Sequence, residues 1–205
     1  MSPDEFIDKI LSKLNIKYLM VGDDFKFGKE RSGDFDFLSD WGSNNQIEVD
    51  RIPTHSFEGR RVSSTWIRES IADGNFDLAA KLLDRRYTFS GKVVFGNKVG
   101  RTIGVPTANI WVPKSNLPIK GVYAVKALVK GETFNGIANM GVRPTVGGTS
   151  PVLEIHIFDF NEEIYGCRIE VEFYQKIRNE KKFENLDKLK EQINLDIAET
   201  RKYFS

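Results

Sequence analysis

From Tyr87 to Phe173 the sequence breaks into short β-prone runs, at 88–95, 121–130, 132–140, 152–159 and 168–175, separated by glycines and turns. Short strands repeated in this way predict a small antiparallel barrel or sandwich. Gly131-Glu132 is a tight hairpin candidate. The residues before Arg86 have a different texture. Ser2-Pro3-Asp4-Glu5 reads as a helix start, with Ser as cap and Pro at the first position. Phe6, Ile7, Ile10, Leu11 and Leu14 follow at helical spacing. Ile16 to Val21 is a nearly continuous apolar run, the look of a strand covered on both faces in a parallel sheet. Gly33-Asp34 opens a second helix, in which Phe35, Phe37, Leu38 and Trp41 are packing residues, and 46–52 reads as another strand. This alternation is the mark of an α/β sheet. Ser63 or Ser64, then Asn75, then Asn185 cap three further helices. The last carries Leu186, Leu189, Ile193 and Ile197 along one stripe. The expected fold is a two-part α+β chain: a partial α/β segment over 1–86, then a small antiparallel β-barrel with a C-terminal helix over 87–205.

Charge and cysteine usage remove several function classes. Thirty basic residues against 29 acidic leave a net charge of +1, which gives no footprint for nucleic acid. No apolar run approaches the ~20 residues a membrane-spanning helix needs. The single cysteine, Cys167, excludes an internal disulfide and any multi-cysteine metal site, and reads as a passive strand residue or a reactive thiol. The acidic N-terminus is not followed by a secretory apolar core. A cytoplasmic protein is the expectation, with no nucleic-acid or membrane partner.

The chemistry concentrates between Gly91 and Asn109. Glycines at 96, 100 and 104 alternate with Lys98 and Arg101, and the stretch closes on Pro106-Thr107-Ala108-Asn109. Glycines let a backbone approach a ligand and present its N–H groups, and two cations beside them suit a polyphosphate. Thr107 and Asn109 stand two apart, so an extended segment projects both from one face. A hydroxyl beside an amide oxygen is a hard-oxygen site suited to Mg²⁺ carrying phosphate. The plainer reading is a glycine-rich hairpin loop before a strand. The spacing is not that of the Gly-x4-Gly-Lys-Ser/Thr phosphate loop.

Further on, Glu154 and His156 alternate with Leu153, Ile155 and Ile157. If the apolar three face a core, Glu154 and His156 face solvent or a cavity. Arg143 reads equally as a turn residue or a phosphate contact.

Gly-Arg-x-x-Gly-x-Pro-Thr-Ala-Asn over 100–109 resembles the signature of riboflavin kinases, the flavokinase module of bacterial riboflavin kinase/FAD synthetases. Gly121-Val122-Tyr123-Ala124-Val125, Asn139 to Val146, Leu153 to Phe160, Tyr165-Gly166 and Lys176 to Phe183 follow in the family's order. The resemblance implies ATP-dependent phosphorylation of riboflavin to FMN. It implies that Glu154 is the catalytic carboxylate, that Gly96, Arg101, Thr107 and Asn109 bind ATP, and that Thr107 and Asn109 hold Mg²⁺. Arg178 and Lys181 match a segment that closes over the flavin, beside the plainer reading of a solvated basic loop. Tyr123, Phe134, Phe158 and Tyr174 read as core rather than flavin stackers.

The first 86 residues resemble part of a Rossmann-like FMN adenylyltransferase module. Val21 to Asp34 and Ser63-Ser64-Thr65-x-Ile67-Arg68 match its later motifs, and a His-x-Gly-His element is not found. Leu83-Asp84-Arg85-Arg86-Tyr87 departs from the family's Leu-Gly-Arg-Pro-Tyr. FMN without FAD is the expected product, with self-association through the incomplete segment. The alternatives are an adenylyltransferase making FAD, and a flavin- or nucleotide-binding module without turnover.

Overall fold

The computed structural model describes all residues except 97–99, 101–103, 114–116 and 146–147, and the backbone alone at 143–145 and 148–150. The chain divides into two compact units, Met1–Val62 and Ser63–Ser205.

In the first unit, helix α1 (Pro3–Lys9) starts at a capping box. Ser2 Oγ accepts from the Glu5 N–H at 3.1 Å, and the Glu5 carboxylate accepts from the Ser2 N–H at 2.9 Å. Helix α2 (Phe35–Asn45) is capped by Asp34, which accepts from the Phe37 N–H. Strand β1 (Tyr18–Gly22) pairs in parallel with β2 (Glu48–Ile52). The parallel pairing agrees with the sequence, but the covering does not. Val21 packs with Ile7, Leu11, Phe27 and Leu38, with Leu19 and Val49 beside them. Tyr18 and Met20, on the alternate positions, remain 45% and 48% exposed. Both helices' apolar stripes serve one face of a two-stranded sheet, so the other face of β1 lies open. A short hairpin, β3 (Ser56–Phe57) with β4 (Arg60–Arg61), completes this unit.

In the second unit, α3 (Ser64–Ala72) and α4 (Phe76–Leu83) precede the barrel. Ser63 Oγ caps the first by accepting from the Trp66 N–H, and Asn75 Oδ1 caps the second by accepting from the Leu78 N–H. Six strands close into an antiparallel barrel: β5 (Thr88–Val94), β6 (Ala108–Trp111), β7 (Gly121–Val129), β8 (Glu132–Thr145), β9 (Gly148–Ile157) and β10 (Arg168–Arg178). Their order around the wall is β10-β5-β6-β9-β8-β7. Lys130 and Gly131, both at positive φ, form the two-residue turn joining β7 to β8. The sequence named five strand runs here; β6 is the sixth, four residues long and directly after the Pro106-Thr107 step.

The barrel is filled, not hollow. Val93, Ile110, Tyr123, Val125, Ala138, Leu153, Ile155, Val171 and Phe173 are buried in its interior. Ile71, Phe76 and Ala79 of α3 and α4 belong to the same core cluster. The Phe76 ring lies 5.6 Å from Tyr123 and 5.7 Å from Phe173. The buried Tyr123 hydroxyl is satisfied by Lys120, donating to its carbonyl and accepting from its N–H, both at 2.8 Å. Helix α5 (Leu186–Phe204) packs outside the wall, where Ile197 meets Val122, Ile137 and Phe158. Asn185 caps it as expected, accepting from the Lys188 N–H. No helix among the described residues is long and apolar enough to cross a membrane.

Candidate active site

Leu153, Ile155 and Ile157 point into the barrel and are 0%, 0% and 6% exposed. By the two-residue period of a strand, Glu154 and His156 therefore point outward. Register then decides what stands beside Glu154. Asn109 of β6 pairs with Glu154, Glu154 with Asn139 of β8, Asn139 with Val122 of β7, and Val122 with Arg178 of β10. These five positions form one rung across the barrel, and directly paired residues present their side chains to the same side. A register shift between Lys176 and Arg178 seats Arg178 opposite Val122.

Over this rung lies a cavity of about 310 Å³, bounded by the barrel wall, the 178–183 segment and α5. Thr107, Asn139, Glu154, His156, Arg178, Glu180, Lys181 and Asp196 supply its polar groups. Val122, Ile137, Phe183, Leu189 and Ile193 supply apolar surface. A second cavity, of about 420 Å³, is lined by Val93, Ile155 and Ile157 on one side and by 160–165 on the other. Thr107 lines both. Tyr165 of the second cavity stacks on Phe95, with ring centroids 4.2 Å apart.

Five of the seven residues singled out in the sequence are accounted for at or beside these cavities. Thr107, Glu154, Arg178 and Lys181 line the first. Asn109, 5% exposed, is the rung neighbour of Glu154. Gly96 lies against the Asn109 side chain, and a Cβ there would overlap its amide. A larger residue at 96 would thus displace Asn109. Arg101 lies outside the described residues, as does the Arg143 side chain. Of the four aromatics read as core, only Tyr123 lies in the buried barrel interior; Phe134 is partly buried at its margin, and Phe158 and Tyr174 lie outside the wall. Tyr123 is core, Phe158 sits under α5, Phe134 packs on Phe160, and Tyr174 packs on Phe204, all away from the first cavity.

Four contacts could not be read in advance. His156 Nδ1 lies 2.8 Å from the Pro106 carbonyl. A carbonyl only accepts, so Nδ1 carries the proton. This bond ties the start of the Pro106-Thr107 step to β9. Arg178 Nε donates to both Asp196 carboxylate oxygens, at 2.9 and 3.1 Å, and its Nη2 lies 2.8 Å from Oδ2. Gln192 Nε2 donates to the same carboxylate at 2.8 Å. The Phe183 ring lies 5.7 Å from the Arg178 Cζ. Asp196 did carry a sequence signal, since a carboxylate falls on the apolar Leu189–Ile193–Ile197 face of α5.

Among the described residues no group of three or more His, Cys, Asp or Glu could hold a metal ion. Thr107 and Asn109 offer two neutral hard oxygens. That donor set fits a hard cation arriving with phosphate ligands of its own, and not a protein-only cage.

A riboflavin kinase family model matches residues 83–204, and an FAD synthetase model matches residues 1–66. The bifunctional riboflavin kinase/FMN adenylyltransferase of Haemophilus influenzae is 48% identical over 204 residues, covering 98% of this chain and 66% of that protein. The Pseudomonas fluorescens protein of the same name is 44% identical over 203 residues, covering 98% and 65%. The chain thus spans 65–66% of the length of these relatives. Among solved structures, a macrolide-efflux protein from Streptococcus pneumoniae superposes with a TM-score of 0.77 at 34% identity, over 98% of this chain and 65% of that one. That name describes the Streptococcus protein alone.

Proposed function

The chain belongs to the riboflavin kinase family, and on that premise we propose that it transfers the γ-phosphoryl group of ATP to the 5′-hydroxyl of riboflavin's ribityl chain, giving FMN and ADP. The observation that carries this reading is the convergence of Thr107, Glu154 and Arg178 on one cavity. In the proposed arrangement the flavin lies in the first cavity. Its apolar ring system meets Phe183, Leu189 and Ile193, and its ribityl chain runs toward Glu154. The nucleotide occupies the second cavity, its terminal phosphates reaching Thr107, which the two cavities share. Glu154 takes the proton of the 5′-hydroxyl as that oxygen bonds to Pγ, while the bond from Pγ to the β–γ bridging oxygen breaks and ADP leaves. Thr107 and Asn109 would hold Mg²⁺ with the phosphates. When bound there, the ion supplies neutralisation of the phosphoryl charge. Arg101 is assigned to the nucleotide, and Arg178 and Lys181 to the flavin.

The functional division is proposed at 86/87, with the kinase residues following it; the family match beginning at residue 83 supports this. The FAD synthetase match over 1–66 favours a second reading, adenylyl transfer to FMN. Mixing the 205-residue chain with riboflavin, ATP and Mg²⁺ and resolving the flavins by chromatography separates the two. FMN with ADP supports the kinase, and FAD with pyrophosphate supports the second. Unchanged riboflavin overturns the kinase reading, and no FAD from FMN and ATP in a parallel reaction overturns the second. A cytoplasmic setting is also proposed, in keeping with the lone Cys167. So is self-association through the first unit, where Tyr18, Met20 and Ile52 are exposed; sedimentation tests it.

Thr107→Ala and Asn109→Ala should each raise the KM for Mg-nucleotide roughly tenfold or more, because each removes an oxygen ligand or hydrogen-bond partner. Riboflavin affinity should move less, since most of the first cavity's lining is unchanged. Unchanged nucleotide kinetics in both variants would reduce the Pro-Thr-Ala-Asn segment to a structural turn.

A further inference from the structure

Asp196 is 3% exposed and sits on a helix face otherwise given to Leu189, Ile193 and Ile197. Taking a carboxylate and a guanidinium out of water is costly, and a well-packed apolar pair often does as well for stability. What such a pair gives reliably is fixed geometry, and here the geometry is over-determined. Gln192 Nε2, one turn earlier on α5, holds the carboxylate at 2.8 Å, in addition to its bonds from Arg178, while Thr200 Oγ1 donates to the Asp196 main-chain carbonyl and ties only the helix turn.

The donors of Arg178 can be counted. Of its five N–H groups, that on Nε and one on Nη2 go to Asp196, and one on Nη1 goes to the Asn179 carbonyl at 3.0 Å. Among the described residues no acceptor is seen for the other two N–H groups, on a side chain that is 21% exposed and borders the first cavity. A guanidinium held in one plane stacks on a flat ring and donates to its edge oxygens, which a freely rotating one does at an entropic cost.

Resting on the kinase reading above, we propose that Asp196 is a positioning residue for the flavin. It orients the Arg178 guanidinium so that its face and its two remaining N–H groups meet the isoalloxazine ring in the first cavity.

The experiment compares two variants of the whole chain by riboflavin fluorescence titration without nucleotide, by KM for nucleotide, and by thermal unfolding. Asp196→Asn removes the charge and frees the guanidinium. Ile197→Ala loosens the packing of α5 on the barrel without touching Arg178. The riboflavin Kd should rise about 10- to 100-fold in Asp196→Asn, the scale of a lost charge-assisted contact, with nucleotide KM little changed. Ile197→Ala should leave the riboflavin Kd within a few-fold even where it unfolds at the lower temperature. Equal losses of flavin affinity in the two variants, or none in Asp196→Asn, would make the pair a helix anchor only and overturn the proposal. Failure of the unchanged chain to bind riboflavin would overturn the flavin assignment of the cavity, and the positioning role with it.

Discussion

Replacing Glu154 with glutamine should slow FMN formation by roughly 10²–10⁴-fold, the usual worth of a positioned base. The amide has the same shape but cannot take a proton from the acceptor hydroxyl. Because Glu154 points out of the barrel beside Asn109 and Asn139, the change leaves the interior packing untouched. Riboflavin and nucleotide binding should therefore persist, and the loss should fall on kcat instead of KM. Steady-state kinetics with both substrates, alongside riboflavin titration of the same variant, reads the split. Turnover near that of the unaltered chain would take Glu154 out of the proton transfer. A fall in riboflavin affinity as large as the fall in rate would make it a binding group instead.

The second large effect is on stability. Phe76→Ala should cost about 3–5 kcal/mol, since a buried aromatic is removed and the space cannot fully collapse. Phe76 is 1% exposed and stands among Tyr87, Tyr123 and Phe173, with ring centroids 6.3, 5.6 and 5.7 Å away. Its α4 backbone precedes the first barrel strand, yet its ring completes the barrel's core cluster. The second unit's unfolding temperature should fall by about 10 °C or more. Circular dichroism melts of the whole chain measure this. A shift of only a degree or two would show that α4 merely rests on the barrel.

Much of this arrangement was legible residue by residue. Asp34, Ser63, Asn75 and Asn185 announced four helix starts, because capping needs only a short side chain and a backbone N–H three residues on. The alternation from Leu153 to Ile157 was enough to turn Glu154 away from the interior. Strand order was not legible locally, and the site depends on it. Asn139 and Asp196 reach the cavity only because β8 lies between β7 and β9 and α5 crosses outside them. For the same reason Ile71, Phe76 and Ala79 could not be assigned to the barrel core from their helical spacing. The open face of β1 was not legible in the apolar run itself, which does not say how many elements will cover it; only the incomplete resemblance of the first segment pointed to exposure.

The rung that links Asn109, Glu154, Asn139, Val122 and Arg178 lies along the hydrogen-bond direction, on the outer surface of a barrel whose inner surface does the packing. On β9 this sorts positions by parity. The odd ones, 153, 155 and 157, turn into the packed interior, and the even ones, 154 and 156, turn toward the first cavity. A randomised library of this strand should therefore yield two separate populations of failures. Substitutions at odd positions would be lost from the soluble fraction, while substitutions at even positions would fold and remain silent in the assay. The barrel could then exchange its reacting groups with little penalty to its own assembly.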